Sequence, residues 1–180
     1  YADDPDWIVQ RGALQAAIEA KEEGKVRYVG FTGHKEKDYL LKMLAVDHQW
    51  DTAQMPINIL DPHYRSFQKH VVPVCNRRQI GVIGMKSLAA GIIPNEVGIQ
   101  APVCRRYSLS LPISTLVCGI TSRENLQQDL DVVRRFKPMT QTELERHVPD
   151  SAEEGKSGRY ERFKTTKQFD GGYHRAQHGV

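Results

Sequence analysis

Four groups of polar residues stand just past four apolar runs. Thr32 and His34 follow Val26, Tyr28, Val29 and Phe31, and Gln54 and Asn58 lie inside and at the end of 52–58. Lys86 and Ser87 close the run that begins at Gly81, and Gly119, Thr121 and Ser122 follow the run from Thr115. In α/β folds the carboxyl ends of strands are where ligands bind. Two of these turns suit phosphate. Lys86 brings a point charge, and the amides after Gly119 open a helix whose dipole favours an anion. Plainer readings stand beside these. Thr121 and Ser122 serve as an N-cap, Gln54 and Asn58 satisfy backbone groups near a rim, and Lys86 is a solvated cation. His34 either caps the next helix or lines the ligand mouth.

The elements that place these groups alternate. A polar turn at Asp3, Asp4, Pro5 and Asp6 is expected first. A helix follows over 13–23, with Leu14, Ala17 and Ile18 on one stripe and Gly24 as its left-handed C′ residue. Strand 26–31 carries β-branched and aromatic residues that favour burial on both faces. Helix 37–46 comes next, then strand 52–58 with Pro56 near its end. Helix 64–78 holds Phe67, Val71, Val72 and Cys75 inward, and Pro73 should kink or divide it. Strand 81–88 leads into the small turn Ala89-Ala90-Gly91, a loop over 92–100 and a short helix whose first turn takes Pro102. Strand 115–120 precedes an amphipathic helix over 123–136 with Leu126, Leu130 and Val133 in register. Thr140 and Glu143 can cap a last helix over 140–147. The strand starts at 26, 52, 81 and 115 match the spacing of βα units. Alternation alone does not separate a barrel from an open sheet. The segment 149–180 is polar and glycine-rich and is expected to be extended or partly disordered, which leaves 1–148 as the folded domain.

Composition sets outer bounds. The 180 residues include 39% hydrophobic and 26% charged residues, with a net charge of +3. That balance suits a globular domain with a core and lacks the concentrated basic stripe of a nucleic-acid binder. No apolar run approaches the ~20 residues of a membrane span, and residues 1–10 are acidic where a signal peptide is basic. Cys75, Cys104 and Cys118 are odd in number and form no CxxC pair, which argues against a disulfide framework or a zinc site and suggests a reducing cytoplasm. His174 and His178 have i,i+4 spacing, but two ligands are too few for a metal, so they read as a solvated or disordered pair. The acidic residues near Tyr1 read as a loose turn and not as a metal loop. The opening Tyr-Ala-Asp-Asp, without an initiator Met, looks like the inside of a longer protein.

Residues 24–34 (GKVRYVGFTGH), 54–58 (QMPIN), 81–91 (GVIGMKSLAAG) and 119–126 (GITSRENL) together resemble the C-terminal half of the aldo/keto reductase family, over roughly 12–139. Residues 163–171 (FKTTKQFDG) look like the end of a bacterial subgroup. The resemblance implies an α/β fold, the strand-five-to-eight part of a (β/α)₈ TIM barrel. It implies binding of NADP(H) or NAD(H) and reduction of a small carbonyl substrate. Thr32 and Gln54 then match residues that hold the nicotinamide carboxamide, with Gly33 in place of the family's usual Asn. Met85 stands where an aromatic residue stacks on nicotinamide, and a thioether can still pack there. Lys86, Ser87 and Leu88 match the pyrophosphate loop, and Gly119, Thr121 and Ser122 match the adenosine-phosphate turn. Asn125, Gln128 and Asp129 fall at the adenosine end, with Arg123 nearby. The family's proton-donor Tyr and its Lys, Asp and His partners belong to the first half of the barrel. None of Tyr28, Tyr39, Tyr64 or Tyr107 sits in that motif, so no catalytic residue is assigned and the chain alone is expected to be inactive. A missing N-terminal half-barrel becomes an expected partner. The alternative reading is a non-catalytic nucleotide-binding or assembly module.

Overall fold

A computed structural model describes residues 1–150 and 152–180, at 148–150 for the backbone only. The chain opens with α1 (Asp4–Gln10) in place of the expected polar turn. Pro5 sits in the first helical turn, where its missing N–H costs nothing, and Asp4 and Asp6 complement the positive end of the dipole. Helix α2 (Ala13–Glu22) ends as expected, and Gly24 takes φ +72° one residue past the cap.

Four parallel strands follow in sequence order: β1 (Gly30–Thr32), β2 (Thr52–Pro56), β3 (Gly81–Met85) and β4 (Thr115–Leu116). Gly30 faces Thr52 across the first pair, and a Cβ there would lie 2.6 Å from the Thr52 carbonyl oxygen. Burial alternates along β2 and β3. Ala53, Met55 and Val82 turn into the main core, while Thr52, Gln54, Ile83 and Met85 stay half-exposed on the other face. Strand β1 departs from the expectation of burial on both sides. Among the described residues it is an edge strand whose one partner is β2, so regular pairing begins at Gly30, and Val26 and Tyr28 before it are exposed.

The main core joins Leu14 of α2, then Leu40, Met43 and Leu44 of α3 (Lys37–Ala45), to Phe67, Val71, Val72 and Cys75. The helix expected over 64–78 is divided into α4 (Phe67–His70) and α5 (Val72–Arg77), with Pro73 in the first turn of the second piece. The expected loop 92–100 contains a π-helical turn, Ile93–Val97, that buries Ile93. Helix α6 (Ala101–Leu109) packs inward through Cys104, Arg105, Tyr107 and Ser108. Helix α7 (Arg123–Arg134) keeps Leu126, Leu130 and Val133 on one stripe, yet that stripe is solvent-exposed.

Helix α8 (Gln141–Asp150) is followed by α9 (Ala152–Gly155), α10 (Arg162–Thr165) and α11 (Gly172–Gln177). The expectation of an extended or partly disordered segment over 149–180 is corrected over its described residues. Phe163 is fully buried in a second core with Ile59, Leu60, Ala89 and Tyr107, and Glu161 and Lys164 are buried beside it. Polar composition misleads here because a few residues, Phe163, Glu161, Lys164 and Asp170, find partners in the rest of the chain.

Candidate functional site

The first two strand ends come together directly. Thr32 lies opposite Gln54 in the parallel register, and the Gly33 amide donates to the Gln54 carbonyl at 3.1 Å, extending the ladder one residue beyond β1. Both side chains border a hollow of about 470 Å³ beside β1 that Ile83 also lines. Thr32 and His34 also border a second cleft, of about 270 Å³, together with Tyr39, Asp170 and His174. Gly33 lies close against the core, and a Cβ there would stand 2.4 Å from Leu40 Cδ1, so a side chain would require the Leu40 methyl to shift. Burial, reinforced by the Lys86 charge, lowers the pKa of His34. Asp170 opposes that shift from 3.8 Å.

Asn58 turns out to be internal. Its Oδ1 accepts from the Leu60 and Asp61 amides, and its Nδ2 donates to Glu161 at 2.9 Å. Asp61 accepts from the Ser66 hydroxyl and from the Phe67 and Gln68 amides. Lys164 fills the centre, donating to Asp61 at 2.8 Å, to Glu161 at 2.8 Å and to the Tyr64 carbonyl at 2.7 Å. Burial pushes the Glu161 carboxyl up, and the Lys164 charge opposes that shift.

Past β3, Met85 lies opposite Pro56 and is half-buried. Lys86 adopts φ +55°, a left-handed conformation that side chains rarely take, and Ala89 and Ala90 do the same at +46° and +60°. The Lys86 ammonium lies 4.8 Å from the Phe169 ring centre and 5.5 Å from that of Phe163. Burial lowers its pKa. Ser87 is fully buried, and its hydroxyl accepts from Arg105. The same guanidinium donates to Asp129 at 3.0 and 3.3 Å, so Arg105 ties the β3 loop to α7. Leu88 packs against the second core. The sequence reading missed Arg105, although its place on the inward face of α6 between Cys104 and Tyr107 marks a charge that must have a partner.

The fourth turn is open. Gly119 has nothing within 4 Å of where a Cβ would point. The Ser122 hydroxyl caps α7 by accepting from the Asn125 amide at 3.2 Å, and Thr121 donates to the Asn125 side chain at 2.8 Å. Gln128 lies elsewhere, in a groove of about 810 Å³ between α6 and α7 that Arg106, Arg123 and Arg135 also line.

The C-terminal segment crosses three of these strand ends. Asp170 accepts from Lys35 at 2.7 Å past β1, Glu161 and Lys164 lock the loop past β2, and Phe163 and Phe169 face Lys86 past β3.

A parallel β/α sheet in sequence order, with polar groups gathered at its carboxyl ends, defines an α/β architecture like that of a TIM barrel. A profile of the aldo/keto reductase family matches residues 1–145, and the chain belongs to that family. Among solved structures it is similar to the aldo-keto reductase AKR11C1 from Bacillus halodurans. The apo form has a TM-score of 0.59 at 17% identity, over 76% of this chain and 54% of that one. It is also similar to MGS-M4, an aldo-keto reductase from a deep-sea metagenome library of the Medee basin, with a TM-score of 0.55 at 14% identity over 77% and 53%. A Schizosaccharomyces pombe protein provisionally named an aryl-alcohol dehydrogenase is 25% identical over 93 residues, 51% of this chain and 29% of that protein. The chain thus spans about half the length of these solved relatives, and less of the curated one. Among the described residues, no helix is long and apolar enough to cross a membrane.

Proposed function

We propose that this chain is the cofactor-holding half of an NADP(H)- or NAD(H)-dependent carbonyl reductase. The observation that carries the reading is the placement of Thr32, Gln54, Met85 and Lys86 at or next to adjacent parallel strand ends, with the open Gly119 turn at the start of α7. These residues fit a dinucleotide. Thr32 and Gln54 offer a hydroxyl and an amide to a carboxamide, and Met85 offers a thioether to a ring face. Lys86 and the amides of 119–122 offer positive charge to phosphates. Ser87, Leu88 and Asp129 contribute indirectly, by fixing the loop that carries Lys86. The bound nicotinamide supplies the hydride for a small carbonyl substrate. We assign no proton donor in this chain. Tyr107, for example, is buried, donates to Gln68 at 3.1 Å and has its pKa pushed up to about 12 by burial.

The first half of the barrel is the proposed partner. Three surfaces support it: the free edges of β1 and β4, the half-exposed face carrying Thr52, Gln54 and Ile83, and the exposed Leu126, Leu130 and Val133 stripe. An uncovered parallel sheet is otherwise rare. The three cysteines are unpaired, in keeping with the cytoplasm as the site of action. The test is a fluorescence titration of the chain with NADPH and with NADH, repeated on Gln54→Ala and Lys86→Ala. Binding of either cofactor that weakens at least about tenfold in both variants supports the reading, a loss within the range of charge-assisted hydrogen bonds. Binding that ignores both substitutions refutes it.

A further inference from the structure

A second cluster lies beside this site. In the sequence, His174 and His178 lack a third ligand, and Asp4 sits in what reads as a loose acidic turn. The fold brings the three together. Helix α1 presents Asp4, α11 presents His174, and His178 caps that helix. Their ligand atoms all lie within 4.8 Å of one another. Nε2 of His174 is 3.0 Å and Nε2 of His178 is 2.8 Å from the same Asp4 oxygen. The two imidazoles stand nearly perpendicular, at 88°, with ring centres 5.0 Å apart, and both Nε2 atoms meet the one Asp4 oxygen. Trp7 stacks on the His178 ring at 4.3 Å and 10°, which fixes its orientation before any ligand arrives.

We propose that Asp4, His174 and His178 form a binding site for a divalent transition-metal ion of the zinc type. Two imidazoles and one carboxylate are the donor set such ions take, at about 2.0–2.2 Å per bond. Ligand atoms around a tetrahedral ion of that size stand a few tenths of an ångström farther apart than the 2.8 and 3.0 Å seen here. A small opening of the cluster admits the ion. The three protein donors leave at least one coordination position for water or another ligand. His174 and Asp4 line the same cleft of about 270 Å³ as Thr32 and His34, so that position opens beside the proposed nicotinamide end. The site also joins the last helix to the first.

The test needs no nicotinamide cofactor. The untagged 180-residue chain, stripped with chelator, is titrated calorimetrically with zinc chloride, and cobalt(II) is added separately to record its visible absorption. The expected result is one zinc ion per chain, with affinity falling at least about tenfold in His174→Ala and in Asp4→Asn, and a cobalt spectrum more intense than that of the aqueous ion. His174 is the decisive position because its ring is 41% exposed and its removal leaves the Trp7–His178 stack in place. Circular dichroism of each variant verifies the fold. No zinc binding, zinc binding of equal affinity in folded His174→Ala, or an aqueous-type cobalt spectrum would each overturn the proposal.

Discussion

Replacing Lys164 by Met tests what holds the C-terminal segment in place. Methionine keeps most of the apolar stem against Phe67, whose ring centre is 5.2 Å from the ammonium. It removes the cation that pairs with both carboxylates in a pocket where Lys164, Asp61 and Glu161 are all at most 1% exposed. Three donated bonds disappear, to Asp61, Glu161 and the Tyr64 carbonyl. Asp61 retains one side-chain and two backbone donors, and Glu161 retains Asn58, so the carboxylates lose their countercharge and keep part of their hydrogen bonding. Breaking a buried pair from one side costs about 3–5 kcal/mol, a large part of the roughly 5–15 kcal/mol that holds a domain together. The sign of the pH dependence follows from Glu161. Its folded pKa is raised to about 7 by burial, so folding takes up a proton. Its contribution is present below the unfolded carboxyl value of about 4.3 and is lost as pH climbs through about 7. Without Lys164 that folded value rises further, and the penalty must be larger at pH 8 than at pH 6. Urea unfolding followed by the fluorescence of Trp7 and Trp50 measures both quantities. A loss below about 1 kcal/mol at pH 8, the scale of an exposed pair, or a penalty that does not change with pH, would refute this account.

Three other outcomes are expected. Gly30→Ala should cost about 1–3 kcal/mol or more through overpacking against the Thr52 backbone, whereas Gly171→Ala, with open space around it, should cost less than about 1 kcal/mol, the scale of its N-cap position on α11; equal effects in chemical denaturation would contradict the close approach of β1 to β2. Alkylation by iodoacetamide should reach Cys118 first, because burial pushes the Cys75 thiol up to about 11 and the Cys104 thiol up to about 12, while Cys118 is only half-buried; mass spectrometry showing Cys104 labelled first would sink the ordering. His34 has a folded pKa lowered by burial and by Lys86, so its contribution is present above the unfolded value of about 6.5 and lost as pH falls below it; His34→Gln should flatten that acid-side slope, and an unchanged slope in stability measurements from pH 7 to 5 would count against it.

Much of the strand-end geometry is legible in the sequence because local rules decide it. Gly24 stops α2 in the left-handed region, the β2 and β3 runs begin at the positions read, and Pro73 divides its helix as its missing N–H demands. What the sequence hides is pairing over distance. Val26 and Tyr28 have strand-forming side chains, but only a neighbour on the far edge of β1 could bury them. Leu126, Leu130 and Val133 keep helical spacing whether or not anything covers them. The polar composition of residues 163–171 conceals that Phe163 and Lys164 reach fully buried partners. Ser87 and Asp129 are legible as candidates one by one, and Arg105, which joins them, is not.

The Lys164 bond to Asp61 spans 103 residues, and that separation orders the folding of the chain. As the polypeptide emerges during synthesis, β2, β3 and their helices can assemble first, since their contacts are short in sequence. The Asp61 carboxylate must stay near water until Lys164 arrives. The loop past β2 therefore gains its countercharge only when Lys164 is in place. Strand-end closure is thus a long-range step, of the kind that loop-closure entropy makes slower than the local assembly of β2 and β3.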